Sequence, residues 1–408
     1  MAAEHPKRGF AGFGIGHPIP PSPRVSSTLV GMLSAENLFT LMRRFPDVEA
    51  PNLFAVDAAD RLILDEAADA LGSVAGDAIA VIGDHYGALT LGTAVRFGVT
   101  GIRVYQDPLT GERALANNAS TFELTDSYRS CGLGEELLTG ARVVLLQLPR
   151  SLDELDEIAD AIARYADPGV VVFAGGRDKH ITPTMNEVLA RSFVNVRASR
   201  GRQKSRVLIA DTPREIATAA RFPISDHLDV LDIDVFAHGA VFAGTKLDIG
   251  TRYLLEFLPR AMPDARTAVD LGCGTGILAV ALASWRPGLE VVATDQSAAA
   301  VASAEATARA AGVGDRVRGL RDDAMASLPD ASVDLIVCNP PFHVGAAVHT
   351  GIADRMFAEA GRVLRPGGEM WTVFNSHLEY KSVLARAVGR TEVVGRNPKF
   401  SVTRSVRA

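Results

Sequence analysis

The most chemically specific stretch of this chain is Cys338-Asn339-Pro340-Pro341-Phe342. It follows an apolar run at 333–337 that is typical of a buried parallel strand, and its prolines end that strand and fix the turn. Ligands of open α/β sheets bind at such strand ends. There the Asn339 amide and the Pro340 carbonyl can accept both hydrogens of an exocyclic amine, and Phe342 can stack on the ring that bears it. The pattern predicts a site for a planar group with an NH₂, although a proline-rich turn that merely closes a strand has the same composition.

A second candidate site is the glycine loop formed by Gly272, Gly274 and Gly276, between a predicted strand at 268–271 and a helix from about 277. Without Cβ atoms, this backbone lets a ligand approach closely. Asp295 lies at the end of the next predicted strand, where its carboxylate can accept hydrogen bonds from both ribose hydroxyls. The loop also satisfies the dinucleotide pattern G-x-G-x-x-A, so these residues alone leave NAD and other adenosine ligands open.

Two features argue against NAD. Asp270 precedes the first glycine by two residues, where a carboxylate can support the loop and a cationic amino-acid moiety but would repel a pyrophosphate. The second feature is the Asn339 turn itself. Asp322 and Asp323 follow the third predicted strand, where an acceptor for an adenine amine would lie, and a solvated acidic turn is the alternative interpretation of that pair.

Strands alternate with helical patterns along most of the chain, which predicts an α/β fold with parallel sheets covered by helices. A length of 408 residues favours two domains. We expect a flexible, Gly- and Pro-rich segment at 1–25, a first domain at 26–210 and a second at 225–408. Two short strands near 391–395 and 400–406 should form an antiparallel pair at the edge of the second sheet.

The two halves follow the same plan. The loop at 83–87 stands where the glycine loop stands, Asp107 corresponds to Asp295, and the segment 147–150 corresponds to 339–342. The first copy lacks one of the three glycines, the Asn and the Phe. We interpret it as a duplicated domain that kept its fold and lost its chemistry, with two unrelated α/β domains as the alternative.

The formal net charge of -6 means that any contact with nucleic acid must use local basic patches. Two stretches are rich in Lys and Arg, and a solvated basic face is the alternative for both. The first contains Arg191, Arg197, Arg200, Arg202, Lys204 and Arg206, and the second contains Lys381, Arg386, Arg390, Arg396, Lys399, Arg404 and Arg407.

The composition also bounds the class of protein. Three widely separated cysteines give neither a zinc site nor a disulfide framework, which fits a reducing cytoplasm. Apolar runs stay well short of the roughly 18 residues of a membrane span. We therefore expect a soluble cytoplasmic protein without a metal.

The run from Asp270 to Gly276, together with Asp295 and the turn at 339–342, resembles the class I S-adenosylmethionine-dependent methyltransferases. More narrowly, the chain resembles the two-domain ribosomal RNA guanine-N2 methyltransferases of the small and large bacterial subunits. Further stretches carry that resemblance, namely His343 and segments 241–242, 247–250, 374–380, 397–400 and, in the first half, 85–89.

This resemblance implies two tandem Rossmann-like methyltransferase domains with seven-stranded, mostly parallel sheets, of which the first is degenerate and recognises RNA. It implies S-adenosylmethionine as the cofactor, held by Asp270, Gly272, Gly274, Gly276, Asp295, Asp323 and Asn339. Asn339 and Pro340 would also accept from the target amine, and Phe342 would stack on a flipped guanine. The implied partner is ribosomal RNA, free or in a ribosomal subunit, and we expect a monomer.

Other functions remain open at this stage. The N-P-P-[FY] pattern also serves adenine N6 and a protein glutamine amide, because each of these groups presents a conjugated NH₂. A non-catalytic RNA-binding or ribosome assembly factor is the alternative from another class. The intact turn at 339–342 argues against that alternative, because the matching turn of the first copy has already decayed.

Overall fold

The computed structural model describes residues 34–340 and 346–408, with side chains of the helix at 346–363 described from residue 352 onward. The predicted lead-in at 1–25 lies outside these residues. So do Pro341, Phe342 and His343 of the predicted acceptor turn.

The first half of the described chain forms eight helices and seven strands. The helices are α1 (Ala35–Leu41), α2 (Ala58–Glu66), α3 (Ala68–Leu71), α4 (Ala88–Phe97), α5 (Leu109–Thr121), α6 (Glu135–Leu138), α7 (Leu152–Tyr165) and α8 (Pro183–Ser192). The strands are β1 (Ile79–Ile82), β2 (Ile102–Tyr105), β3 (Tyr128–Ser130), β4 (Val143–Gln147), β5 (Val171–Arg177), β6 (Phe193–Ala198) and β7 (Ser205–Pro213).

A hairpin of β8 (Ile224–Leu228) and β9 (Ile233–Ala237) leads into the second half. The strands that follow are β10 (Thr267–Leu271), β11 (Glu290–Asp295), β12 (Val317–Arg321), β13 (Val333–Cys338), β14 (Leu364–Asn375), β15 (Gly389–Arg396) and β16 (Phe400–Arg407). The helices are α9 (Ile249–Leu255), α10 (Ile277–Trp285), α11 (Ala298–Ala310), α12 (Ala346–Val363) and α13 (Tyr380–Ala387).

The two halves build sheets of the same topology. The strand orders are β3-β2-β1-β4-β5-β7-β6 and β12-β11-β10-β13-β14-β16-β15. Within the two described sheets, β7 and β16 run in the opposite direction to the other strands, so each pairs antiparallel with both of its neighbours. The predicted α/β fold with two mostly parallel, seven-stranded sheets is confirmed, and so is the antiparallel pairing of the last two strands.

Each sheet is buried on both faces, as expected for parallel strands covered by helices. In β1, Ile79 and Val81 pack into one apolar cluster, and Ala80 and Ile82 pack into the other. The strand that leads to Asn339 behaves in the same way, since alternate residues of β13 enter different clusters. These continuous apolar runs therefore hold the strand ends rigidly, and the functional loops begin there.

The first domain keeps the backbone of the glycine loop but not its composition. The φ angles at Gly83, His85 and Gly87 are 71°, 51° and 101°, and the three glycines of the second loop have φ values of 74°, 52° and 77°. His85 thus adopts the left-handed conformation in which the second loop uses a glycine. This match supports the interpretation of the two halves as a duplication.

The predicted correspondence between Asp107 and Asp295 is wrong by one residue. The N–H of the first glycine in each loop donates to a carbonyl of the neighbouring strand, that of Tyr105 in β2 (3.0 Å) and that of Thr294 in β11 (2.9 Å). Gln106 therefore stands in the place of Asp295. A match by residue type alone missed this strand register.

Asp107 serves the interface between the domains. The N–H of Leu109 donates to the Gln296 carbonyl (2.9 Å), and the N–H of Ala298 donates to the Asp107 carbonyl (3.1 Å), so the loops after β2 and β11 pair reciprocally. The Asp107 carboxylate also accepts from the Ala299 N–H in the first turn of α11 (2.8 Å). A carboxylate from the first domain therefore caps a helix of the second.

A second contact joins α7 to the segment after β9. The Glu157 carboxylate pairs with His238 Nδ1 at 2.5 Å and accepts from the Gly239 N–H at 2.7 Å. Together with the paired loops, this contact orients both sheets so that their carboxyl ends line one cleft of about 1200 Å³.

Candidate active site

The glycine loop between β10 and α10 forms one wall of the cleft. At Gly276 an added Cβ would lie 2.8 Å from the Cβ of Ala304 in α11, so this position requires glycine. At Gly274 no described atom lies within 4 Å of an added Cβ, so the loop presents bare backbone towards the cleft. The three positive φ angles turn this backbone so that a ligand can approach it closely.

Asp295 ties the loop to the start of α11. Its carboxylate accepts from the N–H of Gly274 at 3.3 Å and from the N–H of Ser297 at 3.0 Å. Burial raises the pKa of this carboxyl, against the two backbone hydrogen bonds. The structure places Asp295 beside the bare backbone of the loop, as the sequence predicted.

Asp270 lies beneath the loop at the end of β10 and is 1% exposed. Its carboxylate accepts from the Ala279 N–H in the first turn of α10 at 3.0 Å. Burial raises its pKa to about 8, opposed by that hydrogen bond and reinforced by the charge of Asp295. The carboxyl is therefore largely neutral at pH 7 in the cofactor-free protein.

Asp322 and Asp323 both line the cleft, and they make different contacts. The carboxylate of Asp322 accepts from the N–H and the hydroxyl of Ser327 at 2.8 Å and 2.7 Å, which is a turn-forming arrangement. Asp323 pairs with Arg355 of α12 at 2.7 Å, and Arg113 of the first domain lies 3.6 Å from Asp322 and 3.9 Å from Asp323. Burial raises the pKa of Asp323, and these two arginines oppose the rise.

The Asn339 amide is held on its nitrogen side only. Nδ2 donates to Asp248 Oδ2 at 2.9 Å and to Thr251 Oγ1 at 3.0 Å. Oδ1 is buried and has no hydrogen-bond partner among the described residues. Because a carboxylate can only accept, Asp248 fixes which way the amide faces. The unpartnered oxygen is a strong acceptor for a donor that enters the cleft.

Asp248 also builds the helix that carries its neighbours. The same Oδ2 accepts from the N–H groups of Gly250 (2.8 Å) and Thr251 (3.2 Å), so Asp248 is the N-cap of α9. A Cβ on Gly250 would lie 3.2 Å from Oδ1 and 3.4 Å from Nδ2 of Asn339. Glycine at this position therefore keeps the amide accessible.

Sequence reasoning did not identify the roles of Asp248, Thr251 and Arg355. Pairing of Asn339 with a carboxylate 91 residues away leaves no local pattern. The one available signal was the N-cap spacing at Asp248 within a stretch that carried the family resemblance. Pro340 is buried and lines the cleft beside Asn339, and Phe342 lies outside the described residues.

Comparison with known proteins agrees with this geometry. Residues 232–404 match the methyltransferase small domain family, and residues 32–214 match the RLMG N-terminal domain family. The chain is 36% identical over 355 residues to the ribosomal RNA large subunit methyltransferase G of Ectopseudomonas mendocina (strain ymp), with 86% of this chain and 93% of that relative covered. It is 35% identical over 379 residues to the protein of the same name from Streptomyces coelicolor, with 90% and 98% covered.

A solved structure extends the comparison to the whole fold. The T. thermophilus 16S rRNA N2 G1207 methyltransferase, in complex with AdoMet and guanosine, superposes with a TM-score of 0.68 at 23% identity, with 92% of this chain and 100% of that chain covered. The fold, the glycine loop and the family matches together define an S-adenosylmethionine-dependent methyltransferase. Within that class, the chain belongs to the ribosomal RNA large subunit methyltransferase G family. The resemblance found in the sequence is thereby confirmed.

In the part of the chain that the structure describes, no group of three or more His, Cys, Asp or Glu side chains could hold a metal ion. Within the same residues, every helix is too short or too polar to cross a membrane.

Proposed function

We propose that this chain transfers a methyl group from S-adenosyl-L-methionine to the exocyclic N2 amine of a guanine in large-subunit ribosomal RNA. The observation that carries the proposal is the buried Oδ1 of Asn339, an acceptor without a partner among the described residues. An oxygen of this kind is complementary to an amine hydrogen, and burying it without a donor costs about 1–3 kcal/mol. The carbonyl of Pro340, next in the chain, would accept the second hydrogen.

The residues of the glycine loop fit the cofactor. Gly274 offers open space beside its backbone, and Asp295 offers a carboxylate next to it for a ribose. Asp270 lies under the loop, where a cationic amino-acid moiety would draw out its proton, and Asp323 lies further along the same cleft for an adenine amine. When bound, the cofactor supplies an activated methyl group on a sulfonium centre.

The protein acts on the acceptor by holding its amine. In guanine the N2 lone pair is delocalised into the ring, which makes the nitrogen a poor nucleophile. Hydrogen bonds accepted by Asn339 and Pro340 favour the pyramidal nitrogen, whose lone pair is available for bond formation. Asp248 and Thr251 keep the Asn339 amide in that orientation throughout. The target base must be single-stranded or flipped to enter the cleft, and Phe342 would stack on it.

Relatives named for ribosomal RNA favour a guanine of RNA over the alternative acceptors, adenine N6 and a glutamine amide. We further propose that residues 26–210 recognise the RNA and residues 225–408 carry out catalysis. The large subunit is proposed as the source of the RNA from the relatives' names. The protein would act as a monomer, because the duplication already supplies a pair of domains.

The second basic stretch is better suited to RNA than the first. Ion pairs occupy most of the first stretch, as for Arg197 with Asp211 at 3.1 Å and Arg202 with Asp65 at 3.0 Å. In the second stretch Arg404 is paired with acids and Arg407 donates to backbone carbonyls. The described structure gives no ion pair or side-chain hydrogen bond to the rest of that stretch, namely Lys381, Arg386, Arg390, Arg396 and Lys399.

The experiment is methyl transfer from labelled S-adenosylmethionine to unmodified ribosomal RNA, offered as free RNA and as separated subunits and followed by digestion to nucleosides. Label in N2-methylguanosine of large-subunit RNA is the expected result. Label in N6-methyladenosine or in protein would move the acceptor to one of the alternatives. Cofactor binding without transfer to any substrate would favour the assembly-factor alternative.

A further inference from the structure

The first domain presents its own strand ends to the cleft that holds Asn339. His85, Arg150, Arg177 and His180 all line that cleft, at the carboxyl ends of β1, β4 and β5. Ligands of open α/β sheets bind in this location. The degenerate domain therefore shares a binding space with the catalytic domain.

Two of these side chains occupy positions that belong to the acceptor end of the catalytic domain. Leu146 pairs with the last residue of β1 as Cys338 pairs with the last residue of β10, so Arg150 corresponds in sequence to Phe342. Carrying the register one strand further places Arg177 at the position of Asn375. Arginines have thus replaced a ring and an amide.

This end of the first domain lacks the side chain that would hold a methyl acceptor. Gln147 takes the place of Asn339, and its amide donates to Asp60, whose carboxyl is buried. The cofactor chemistry is altered too, because His85 carries a side chain where Gly274 leaves open space and Gln106 replaces the ribose acid. A second S-adenosylmethionine is therefore a poor occupant.

The remaining charge favours an anion. Arg150 is exposed and has no hydrogen-bond or ion-pair partner among the described residues, and Arg177 pairs with Asp57 at 3.0 Å. Desolvation lowers the pKa of His180, and then the positive charges of Lys179, Arg150 and Arg177 lower it further. Lys179, Arg150 and Arg177 thus all lie within electrostatic reach of His180. An anion bound among them would relieve the repulsion between their charges.

We infer that Arg150, with Arg177, His85 and His180, binds a backbone phosphate of the RNA whose target guanine lies at Asn339 across the cleft. The inference rests on the proposed function and deepens it, because it assigns the first domain a defined contact. A phosphate contact orients the substrate without reading its sequence. The degenerate domain would then set the register of the RNA relative to the catalytic amide.

The test compares Arg150→Gln with Arg142→Gln in the full-length protein. Both arginines are exposed, and they flank β4, with Arg142 at its amino end and Arg150 beyond its carboxyl end, so Arg142→Gln is a matched loss of charge outside the cleft. Binding of an unmodified large-subunit ribosomal RNA transcript is measured over a salt series. Affinity for S-adenosylmethionine and methyl transfer are measured separately.

Arg150→Gln should lower the slope of log K against log[salt] by about 0.7–0.9, the value for one phosphate contact. Its binding deficit relative to wild type should shrink roughly 3-fold between about 50 and 200 mM salt, which follows from the same slope. KM for RNA should rise, while cofactor affinity stays unchanged. Arg142→Gln should match wild type in all of these measurements.

An unchanged salt slope in Arg150→Gln, with wild-type methyl transfer to guanine intact, would overturn this inference and leave the proposed function standing. A reduced slope in a protein that methylates no RNA guanine would retain the anion site and overturn the proposed function. Absence of RNA binding by the wild-type protein would overturn both.

Discussion

Gly250 offers a way to separate folding from catalysis with one methyl group. It is the second residue of α9, and its backbone N–H is capped by Asp248. A Cβ at this position would lie 3.0 Å from Asp248 Oδ2 and 3.2 Å from Asn339 Oδ1. Gly250→Ala therefore crowds the oxygen that we propose accepts the target amine.

The effects on stability and on activity should have different signs. Alanine favours a helix over glycine by up to about 1 kcal/mol. This gain should at least balance the cost of crowding Asp248 and Asn339, so the unfolding free energy should stay level or rise. Loss of one hydrogen bond to the target amine costs about 1–3 kcal/mol. At about 1.4 kcal/mol per factor of ten, the rate of transfer should fall by about 5- to 140-fold.

Three measurements test this prediction, namely thermal unfolding, calorimetric binding of S-adenosylmethionine and single-turnover methyl transfer to RNA. Gly288→Ala is the matched control, because Gly288 is exposed in the same domain and no described atom lies within 4 Å of an added Cβ. Wild-type transfer by a folded Gly250→Ala protein would refute the placement of the target amine at Asn339 Oδ1. Loss of cofactor binding would instead show that the added methyl disturbs the glycine loop.

Three further predictions follow from the same contacts. Asp248→Ala should lose about 1 kcal/mol of stability with its helix cap and should slow transfer, whereas Asp248→Asn keeps an acceptor oxygen and should lose less of both; urea unfolding and transfer rates compare the two. Burial raises the pKa of Asp270 to about 8, so the folded protein holds this proton more tightly than the unfolded chain does. Cofactor-free protein should therefore become less stable as pH rises from about 4 through 8. Asp270→Asn should show a weaker decline in melting temperature over that range. Asp107 of the first domain caps α11 of the second, so Asp107→Ala should lower the unfolding free energy by about 1 kcal/mol. A loss of that size in urea unfolding would support this role, and no change would contradict it.

The parts of the site that the sequence revealed are those set by strand ends. Asp270, the three glycines and Asp295 are brought together by two adjacent parallel strands, β10 and β11, and their order follows from the alternation of strands and helices. Asn339 joins them because β13 pairs with β10 on its other side. Periodicity and motif spacing therefore sufficed for these residues.

The contacts that orient the site could not be predicted in this way. Asp248 reaches Asn339 from a helix that precedes the catalytic sheet, and Arg113 reaches Asp323 from the other domain. Such pairs depend on tertiary packing, which leaves no period in the sequence. The displaced match of Asp107 has the same origin, because a one-residue difference in register becomes visible only in the hydrogen bonds between strands.

The central claim is that the unpartnered oxygen of Asn339 holds the target amine during methyl transfer. The most direct measurement is the single-turnover rate of Asn339→Ala with unmodified large-subunit RNA, alongside its affinity for S-adenosylmethionine. We expect near-normal cofactor binding with nearly all turnover lost. Transfer to guanine N2 at the wild-type rate would contradict the role of Asn339.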